Sequence, residues 1–278
     1  MSPDFTFLLI LALRMAIAAA FVVSASIIAE RAGPVIGALI ATLPISSGPA
    51  YVFVALDHDA AFIARGALAS LPINAATIWL SLVYVLLAQR RGVLVSCATA
   101  LAVWFGIASL ILKVQWTLAE GLIVNAITVA ICVPALARYR HVKMPLITRR
   151  WYDVPLRALL VATLVGTVTT LSGWVGPDIS GVLVLFPIVF TSMMLILHPR
   201  IGGPATAAVI ANGVWGLIGF GLGIAAVQAG VSQFGSAIGL SLGLLTCVLW
   251  NLGLWWTGRR KRVPSLRAER SNPEAKRR

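Results

Sequence analysis

Two stretches of the chain combine proline with glycine and hydroxyl side chains inside long apolar runs. The first stretch holds Pro44, Ser46, Ser47, Gly48 and Pro49, and the second holds Pro187, Thr191 and Ser192. A proline inside a helix has no amide donor and frees the carbonyl four residues earlier, so the helix kinks or breaks there. A break within a membrane exposes N–H groups and the positive end of a helix dipole, which can bind oxygen atoms of a solute. The two stretches therefore predict non-covalent solute binding. The sequence leaves the kink and the break open, and it favours a break at the first stretch.

Two arginines lie within apolar runs. Arg14 lies about ten residues into the first run, and Arg157 occupies a similar depth in a later one. A charge at this depth costs about 2.5–3.5 kcal/mol on insertion scales, so a functional role is the first hypothesis. The alternative is that both side chains extend to the headgroups. If they face the interior, they predict a small anionic solute.

Three further polar residues are secondary candidates for the site. Asn74 and Asn212 would correspond to each other if the loop before Asn212 were five residues shorter, and interhelical hydrogen bonds are the favoured role for both. Glu120 lies one turn into an apolar run, close to Trp116. We interpret it as an interfacial carboxylate, with a proton or cation site as the alternative.

The sequence contains few residues that are arranged for enzyme catalysis or for metal binding. The adjacent residues Asp57, His58 and Asp59 lie in a loop, and His198 is expected on the other side of the membrane, so we predict no metal site. There is no nucleotide-binding loop, zinc-protease motif or Ser/His/Asp arrangement. We therefore predict no enzyme activity, no catalytic residues and no cofactor.

The composition sets the fold class that must position these residues. The chain has 278 residues, 59% of them hydrophobic and 11% charged, whereas a soluble domain carries about 25% charged residues. Apolar runs long enough to span a bilayer follow one another, which predicts an all-α polytopic transmembrane bundle. We expect about nine helices, over residues 5–29, 34–56, 60–88, 92–112, 116–137, 155–175, 178–198, 203–230 and 233–257.

An internal repeat relates the two halves of the chain. Residues 13–45 align with residues 156–188 without a gap, at a constant separation of 143. Nine of the 33 positions are identical, against roughly three expected from apolar composition alone. The identical pairs include Arg14/Arg157, Gly33/Gly176, Pro34/Pro177 and Pro44/Pro187. Arginine, glycine and proline are residue types that chance matches among apolar residues would not favour.

The basic residues predict how the repeats are oriented. Of the 22 Lys and Arg residues, 18 fall in segments on one side if the C-terminus is cytoplasmic, which indicates an outside N-terminus. Five spans separate helix 1 from helix 6, so the two repeats would be inverted, as in many secondary transporters. We expect a 4+1+4 plan. It places the first repeat and a connecting helix in 1–137, a basic loop in 138–154, the second repeat in 155–257 and a disordered basic tail in 258–278.

The spacing of glycine and proline resembles that of the GlpM-like bacterial inner-membrane proteins. The pattern is Gly-Pro, then Gly or Ser three residues after the proline, then Pro ten residues after it. One half carries Gly33-Pro34, Gly37 and Pro44, and the other carries Gly176-Pro177, Ser180 and Pro187. The resemblance covers about 35 residues in each half. It implies a multi-pass protein of the bacterial inner membrane and says little about a substrate.

These observations together predict a secondary, non-ATP-driven transporter. Its site would lie at the midplane between broken helices 2 and 7. A channel, a lipid scramblase and a structural or assembly protein are the alternatives. The expected partners are anionic lipid headgroups, bound by the basic loop and tail, and a small solute. We expect no nucleic-acid partner. The glycine-rich last helices are compatible with close packing within one chain or in a homo-oligomer.

Overall fold

The computed structural model describes the backbone of residues 3–31, 43–142 and 150–271 and the side chains of 5–28, 43–142 and 150–257. This part of the chain contains helices and no strands. The helices are α1 (Pro3–Arg31), α2 (Ser47–Asp57), α3 (Ala60–Leu87), α4 (Val93–Ile111), α5 (Leu118–Ala137), α6 (Asp153–Val184), α7 (Ile188–Ile201), α8 (Gly203–Phe234) and α9 (Ser236–Ser271). The predicted all-α fold is confirmed.

Seven of these helices are long and apolar enough to cross a membrane, which confirms a multi-pass bundle. They differ in how deeply they are buried. Within their most apolar windows, 78% of the residues of α3 and 61% of those of α8 are buried, against 11% for α1 and 22% for α5 and α9. Thus α3 and α8 form the centre, and the other three present apolar side chains outward.

Glycines bring the last two helices close together. A Cβ on Gly219 would meet the Trp250 ring, and a Cβ on Gly230 would meet Gly239 on α9. The small residues of α8 and α9 therefore serve close packing within one chain, as one of the two alternatives for these helices predicted.

A sharp corner divides α6. Gly176 has φ 77° and ψ 177° and interrupts the helical geometry, and Pro177 begins the second part. Only glycine adopts this left-handed region without strain. The corner lies between residue 175, where helix 6 was predicted to end, and residue 178, where helix 7 was predicted to begin. The part after Gly176 packs on α3, where a Cβ on Gly181 would overlap the backbone of Gly66.

The helix predicted over 178–198 is two helices. It is interrupted at residues 185–187, between Val184 and Ile188. The carbonyl of Leu183, predicted to lose its donor to Pro187, accepts a bond from Phe186 N at 3.0 Å. In the helix predicted over 34–56, α2 begins at Ser47, after the bend at residues 43–46. Residues 32–42 lie outside the described part, and so does the carbonyl of Ile40.

The constant separation between the two copies of the sequence repeat recurs in the helix starts. Helices α3 and α8 begin at Ala60 and Gly203, and α4 and α9 begin at Val93 and Ser236. Each pair of starts keeps the separation of the repeat, so no shortened loop precedes α8. The condition for matching Asn74 with Asn212 is not met, because the repeat equivalent of Asn74 is Leu217.

Candidate functional site

The two proline breaks have the same backbone hydrogen bonds. After the first proline, Ile45 N donates to Leu43 O at 2.7 Å and Gly48 N donates to Pro44 O at 2.8 Å. After the second, Ile188 N donates to Phe186 O at 2.7 Å and Thr191 N donates to Pro187 O at 2.9 Å. Every donor and acceptor at one break is the repeat equivalent of its counterpart at the other. Each proline therefore turns the chain and precedes the start of a helix. At Pro187 this is a break rather than a kink, because one helix ends at Val184 and the next begins at Ile188.

Each break leaves two backbone N–H groups without an acceptor in the described part of the chain. They belong to Ser46 and Ser47 at the start of α2, and to Val189 and Phe190 at the start of α7. The first N–H groups of a helix have no partner within it, and the helix dipole adds partial positive charge there. Both half-helices therefore present unsatisfied donors at the breaks.

The two helix starts line one cavity of about 430 Å³. Its walls come from the residues around the breaks, from the middle of α3 and from α8. The first break contributes Leu43 to Ser47, and the second contributes Val184 to Phe190. Pro44 and Pro187 therefore border a common cavity.

Two serine hydroxyls add polar groups to this wall. Ser47 is 5% exposed and Ser46 is half-buried. Neither hydroxyl has a hydrogen-bond partner among the described residues, and Ser46 does not cap α2 with its side chain. Both hydroxyls therefore remain available for a further hydrogen bond.

Asn74 lies in the cavity wall at the centre of the bundle, 1% exposed. Its Nδ2 donates to Asn125 Oδ1 at 2.8 Å and to Leu217 O at 3.0 Å. Asn125 Nδ2 donates in turn to Leu71 O and Gly121 O, which fixes the orientation of both amides. Asn74 Oδ1 is then left buried without a partner in the described structure. The network has no room for a side chain at Gly221, where a Cβ would lie 2.8 Å from Asn74 Nδ2.

Asn212 also lines the cavity, but its amide is already bonded. Its Oδ1 accepts from Arg140 Nε at 2.9 Å, and its Nδ2 donates to Ala208 O at 2.8 Å and Arg140 O at 3.2 Å. The guanidinium of Arg140 lies 5.2 Å from the centre of the Trp215 ring. Asn212 thus anchors the residues after α5 beside the cavity.

Three predicted site residues next to the breaks lie outside this cavity wall. Thr191 Oγ1 donates to Pro187 O and Ser192 Oγ donates to Val189 O, both at 2.8 Å, so their hydroxyls bond to their own helix. Gly48 lines a second, almost wholly apolar pocket of about 390 Å³ between α1, α2, α8 and α9. These three residues support the geometry of the breaks rather than the cavity surface.

Arg14 forms an ion pair and does not line the cavity. Its guanidinium bonds both carboxylate oxygens of Asp57, with Nη2 2.7 Å from Oδ1. Asp57 ends α2, an 11-residue helix, so this pair lies about 15 Å along the helix from the cavity. The His58 ring, hydrogen-bonded to Ser172 Oγ at 2.9 Å, adds a second contact at that end.

The far end of α7 is held in the same way. Arg200 donates to Asp153 at 2.7 and 2.6 Å, and Tyr84 shares a hydrogen bond with His198 at 2.8 Å. Arg200 is the repeat equivalent of Asp57. Arg157 lies one turn from Asp153 and acts electrostatically on its carboxylate. We call Arg14–Asp57 and Asp153–Arg200 the two end pairs.

Glu120 closes the N-terminus of α5 and is exposed. Its carboxylate accepts from the backbone N–H and the hydroxyl of Thr117, both at 2.8 Å, and Thr117 Oγ1 accepts from Glu120 N. This reciprocal arrangement is a capping box. It accounts for Glu120 locally and places its carboxylate away from the cavity.

Sequence reasoning missed two residues near the cavity. Thr77 lines it, accepting from Trp104 Nε1 at 3.2 Å. One helical turn separates Thr77 from Asn74, a signal that could have identified it. Arg140 reaches Asn212 across 72 residues of sequence, and no local pattern predicts that contact.

Comparison of the chain with protein-family models, with curated proteins and with solved structures finds no match. The resemblance to GlpM-like proteins stays a prediction.

Proposed function

We propose that the protein is a secondary transporter that binds a small solute in the cavity between the two breaks. The observation that carries the proposal is the repeated backbone geometry at Pro44 and Pro187, which brings two helix starts to one cavity. Half-helices with free N-terminal amides at a midplane site are a recurring plan of such proteins. Binding is non-covalent, and no enzymatic step is involved.

The proposed topology has the N-terminus outside and the C-terminus in the cytoplasm of a bacterial inner membrane. Contacts between distant residues support it, because they join helix ends that it assigns to the same face. Arg65 pairs with Asp178 at the outer face, and Arg200 pairs with Asp153 at the inner face. In this topology the two repeats are inverted, and alternating access comes from one repeat moving against the other.

The arginines have a different role in this proposal from the one the sequence suggested. Arg14 holds the outer end of α2, and Arg157 lies beside the end pair of α7, so neither attracts an anion to the cavity. Both end pairs hold the half-helices at the ends opposite the breaks. The binding groups are Ser46, Ser47, Asn74 and the backbone N–H groups.

Accessibility of a cysteine in the cavity tests the transporter proposal without knowledge of the solute. Cys97, Cys132 and Cys247 are all buried and are first replaced by alanine. Ser47→Cys is then exposed to a membrane-impermeant maleimide in right-side-out and in inside-out vesicles. A transporter is expected to react from both faces, while a thiol dye trapped inside the vesicles stays unlabelled.

Ser192→Cys is the control, because Ser192 is 3% exposed and lies outside the cavity wall. It should react from neither face. Labelling of the trapped dye would indicate a channel, and a Ser47→Cys that is inert from both faces would contradict the proposal in favour of a structural protein.

A lipid scramblase is a second candidate, favoured by the apolar pocket beside the cavity. That pocket shares Leu43, Ser47 and Phe220 with the cavity wall, and it includes Phe21 and Leu244, which are about half exposed. A lipid chain could enter there. Reconstitution into vesicles that contain fluorescent phospholipids in both leaflets distinguishes the two: a scramblase exposes all of the dye to external dithionite, and a solute transporter exposes about half.

A further inference from the structure

The cavity carries two opposite kinds of unsatisfied hydrogen-bonding groups on a mostly apolar wall. The donors are the backbone N–H groups of Ser46, Ser47, Val189 and Phe190. The acceptor is Oδ1 of Asn74, a residue of the cavity wall, and this atom is buried and has no partner in the described structure. A ligand that satisfies both must itself carry an acceptor and a donor.

The donors favour a carboxylate. They begin helices of 11 and 14 residues, both long enough to have a substantial dipole. Helix N-termini bind anionic oxygens because several N–H groups point the same way and the dipole adds positive charge. Ser46 and Ser47, adjacent in the cavity wall, each add a hydroxyl donor to these N–H groups.

The unpaired Oδ1 of Asn74 favours a ligand that carries a hydrogen-bond donor. This evidence is independent of the N–H groups at the helix starts. A buried acceptor without a partner is costly, so such atoms usually bind a ligand or water. The amide cannot turn to relieve this, because its Nδ2 is fixed by Asn125 Oδ1 and Leu217 O. An ammonium or hydroxyl group supplies the missing donor.

The remaining wall limits the charge and shape of the ligand. No Asp, Glu, Lys, Arg or His side chain lines the cavity as the structure describes it. A ligand with a net charge would therefore be poorly stabilised in this surrounding. The wall offers an apolar group contacts with Phe186, Phe190, Met193, Leu217 and Phe220. The cavity volume of about 430 Å³ is in the range of small-molecule sites.

We propose that the solute is a zwitterionic α-amino acid with a large apolar side chain. Its carboxylate accepts from the N–H groups that start α2 and α7, its ammonium donates to Asn74 Oδ1, and its side chain packs against the phenylalanines. This inference rests on the proposed function and names the substrate class of the same cavity. It replaces the small anion that the intramembrane arginines suggested.

Dissecting the ligand tests the assignment of each group. The purified full-length chain in lipid nanodiscs is incubated with tritiated L-phenylalanine, and unlabelled compounds compete for binding. 3-Phenylpropanoate lacks the ammonium, and 2-phenylethylamine lacks the carboxylate. Each analogue is expected to compete at least about tenfold more weakly than L-phenylalanine, because each leaves buried groups unsatisfied. L-Leucine should compete well.

Substitutions locate the binding in the cavity. Val209→Phe fills the wall on α8 and is expected to abolish binding, whereas Leu222→Phe, the same kind of change at a 42% exposed position of the same helix, should leave it intact. Ser47→Ala removes one hydroxyl without changing the fold and should weaken binding about fivefold. Its control is Ser192→Ala, whose hydroxyl bonds only to its own helix.

Three results would overturn the inference. They are equal competition by 3-phenylpropanoate, equal competition by 2-phenylethylamine, and no saturable binding of L-phenylalanine or L-leucine at millimolar concentration. If Ser47→Cys still reacts from both faces while amino acids do not bind, the substrate class is wrong and the transporter proposal stands. If Ser47→Cys is inert from both faces, the transporter proposal itself fails.

Discussion

The first and second breaks share their backbone and differ in their side chains. At both breaks, the proline is followed by an isoleucine whose N–H donates to the carbonyl of the residue before the proline. The next two residues are Ser46 and Ser47 at the first break, and Val189 and Phe190 at the second. The proline specifies the turn, and the residues after it specify what the turn can bind. The two breaks thus share one backbone geometry. The first contributes a polar wall to the cavity, and the second contributes an apolar wall.

The surroundings of the two breaks also differ. The segment before the second break is anchored on α3, where Gly66 and Gly181 meet and Ser70 Oγ donates to Gly181 O at 2.7 Å. At the first break, a Cβ on Gly48 would meet no atom of the described residues within 4 Å. The segment before the second break is therefore tightly packed, whereas no described atom restricts a side chain at Gly48.

Glycine-to-alanine substitutions give the largest expected difference between the breaks. Gly181→Ala should destabilise the protein by about 3 kcal/mol, because the new methyl group forces α3 and α6 apart. Gly48→Ala should be neutral or stabilise by up to about 1 kcal/mol, since alanine is the better helix former. Unfolding in mixed micelles followed by tryptophan fluorescence measures both. Equal effects would contradict the packing difference.

The two end pairs should differ as well, by a smaller amount. The side chains of Arg200 and Asp153 are 14% and 12% exposed, while Asp57 is 34% exposed in its pair with Arg14. Arg200→Met is expected to cost about 2 kcal/mol because it leaves a partly buried carboxylate without its cation. Arg14→Met should cost about 1 kcal/mol, since Asp57 is better hydrated. Unfolding in mixed micelles compares them, and the reverse ranking would refute the argument from burial.

A reciprocal exchange sharpens the comparison of side chains. Ser46 and Val189 occupy equivalent positions in the two copies of the repeat. Ser46→Val should weaken binding of L-phenylalanine about fivefold by removing a hydroxyl donor, while Val189→Ser should leave binding unchanged or strengthen it. Competition binding in nanodiscs measures both variants. If Val189→Ser weakened binding as much as Ser46→Val, the polar and apolar walls would not have separate roles.

The smallest effect is expected for the exposed pair at the corner of α6. Arg65 and Asp178 are 54% and 42% exposed and 3.0 Å apart. Asp178→Asn should cost less than about 1 kcal/mol, and the loss should shrink further in high salt. Unfolding at low and high ionic strength checks this. A cost as large as that of Arg200→Met would show that this corner holds the second break in place.

Much of the fold follows from short-range features of the sequence. The apolar runs predict the long helices because each run must satisfy its own backbone in a bilayer. Gly176-Pro177 predicts the corner, since glycine alone tolerates the required backbone and proline begins a helix well. Pro187 is compatible with a kink or a break, and the sequence favours a break at Pro44 instead; the structure has a break at Pro187, where Ile188 N donates to Phe186 O.

The polar contacts of the site were harder to predict, because their partners lie far apart in sequence. Arg14 pairs with Asp57, which is 43 residues away in the sequence, and Asn74 donates a hydrogen bond to Leu217 O, which is 143 residues away. The depth of Arg14 in its helix is equally compatible with a binding role and with an ion pair, and only the packing of α2 decides. Thr191 and Ser192 were expected at the site from their spacing, but both hydroxyls bond to carbonyls of their own chain segment.

The absence of ionisable side chains from the described cavity wall has an electrical consequence. Moving one elementary charge across a membrane potential of 100 mV changes the free energy by about 2.3 kcal/mol. A reorienting site without charged side chains, empty or loaded with a zwitterion, carries no net charge through that field. If the proposed transporter uses no coupling ion, its cycle would run at the same rate in energised and de-energised cells, and the solute would equilibrate across the membrane without accumulating.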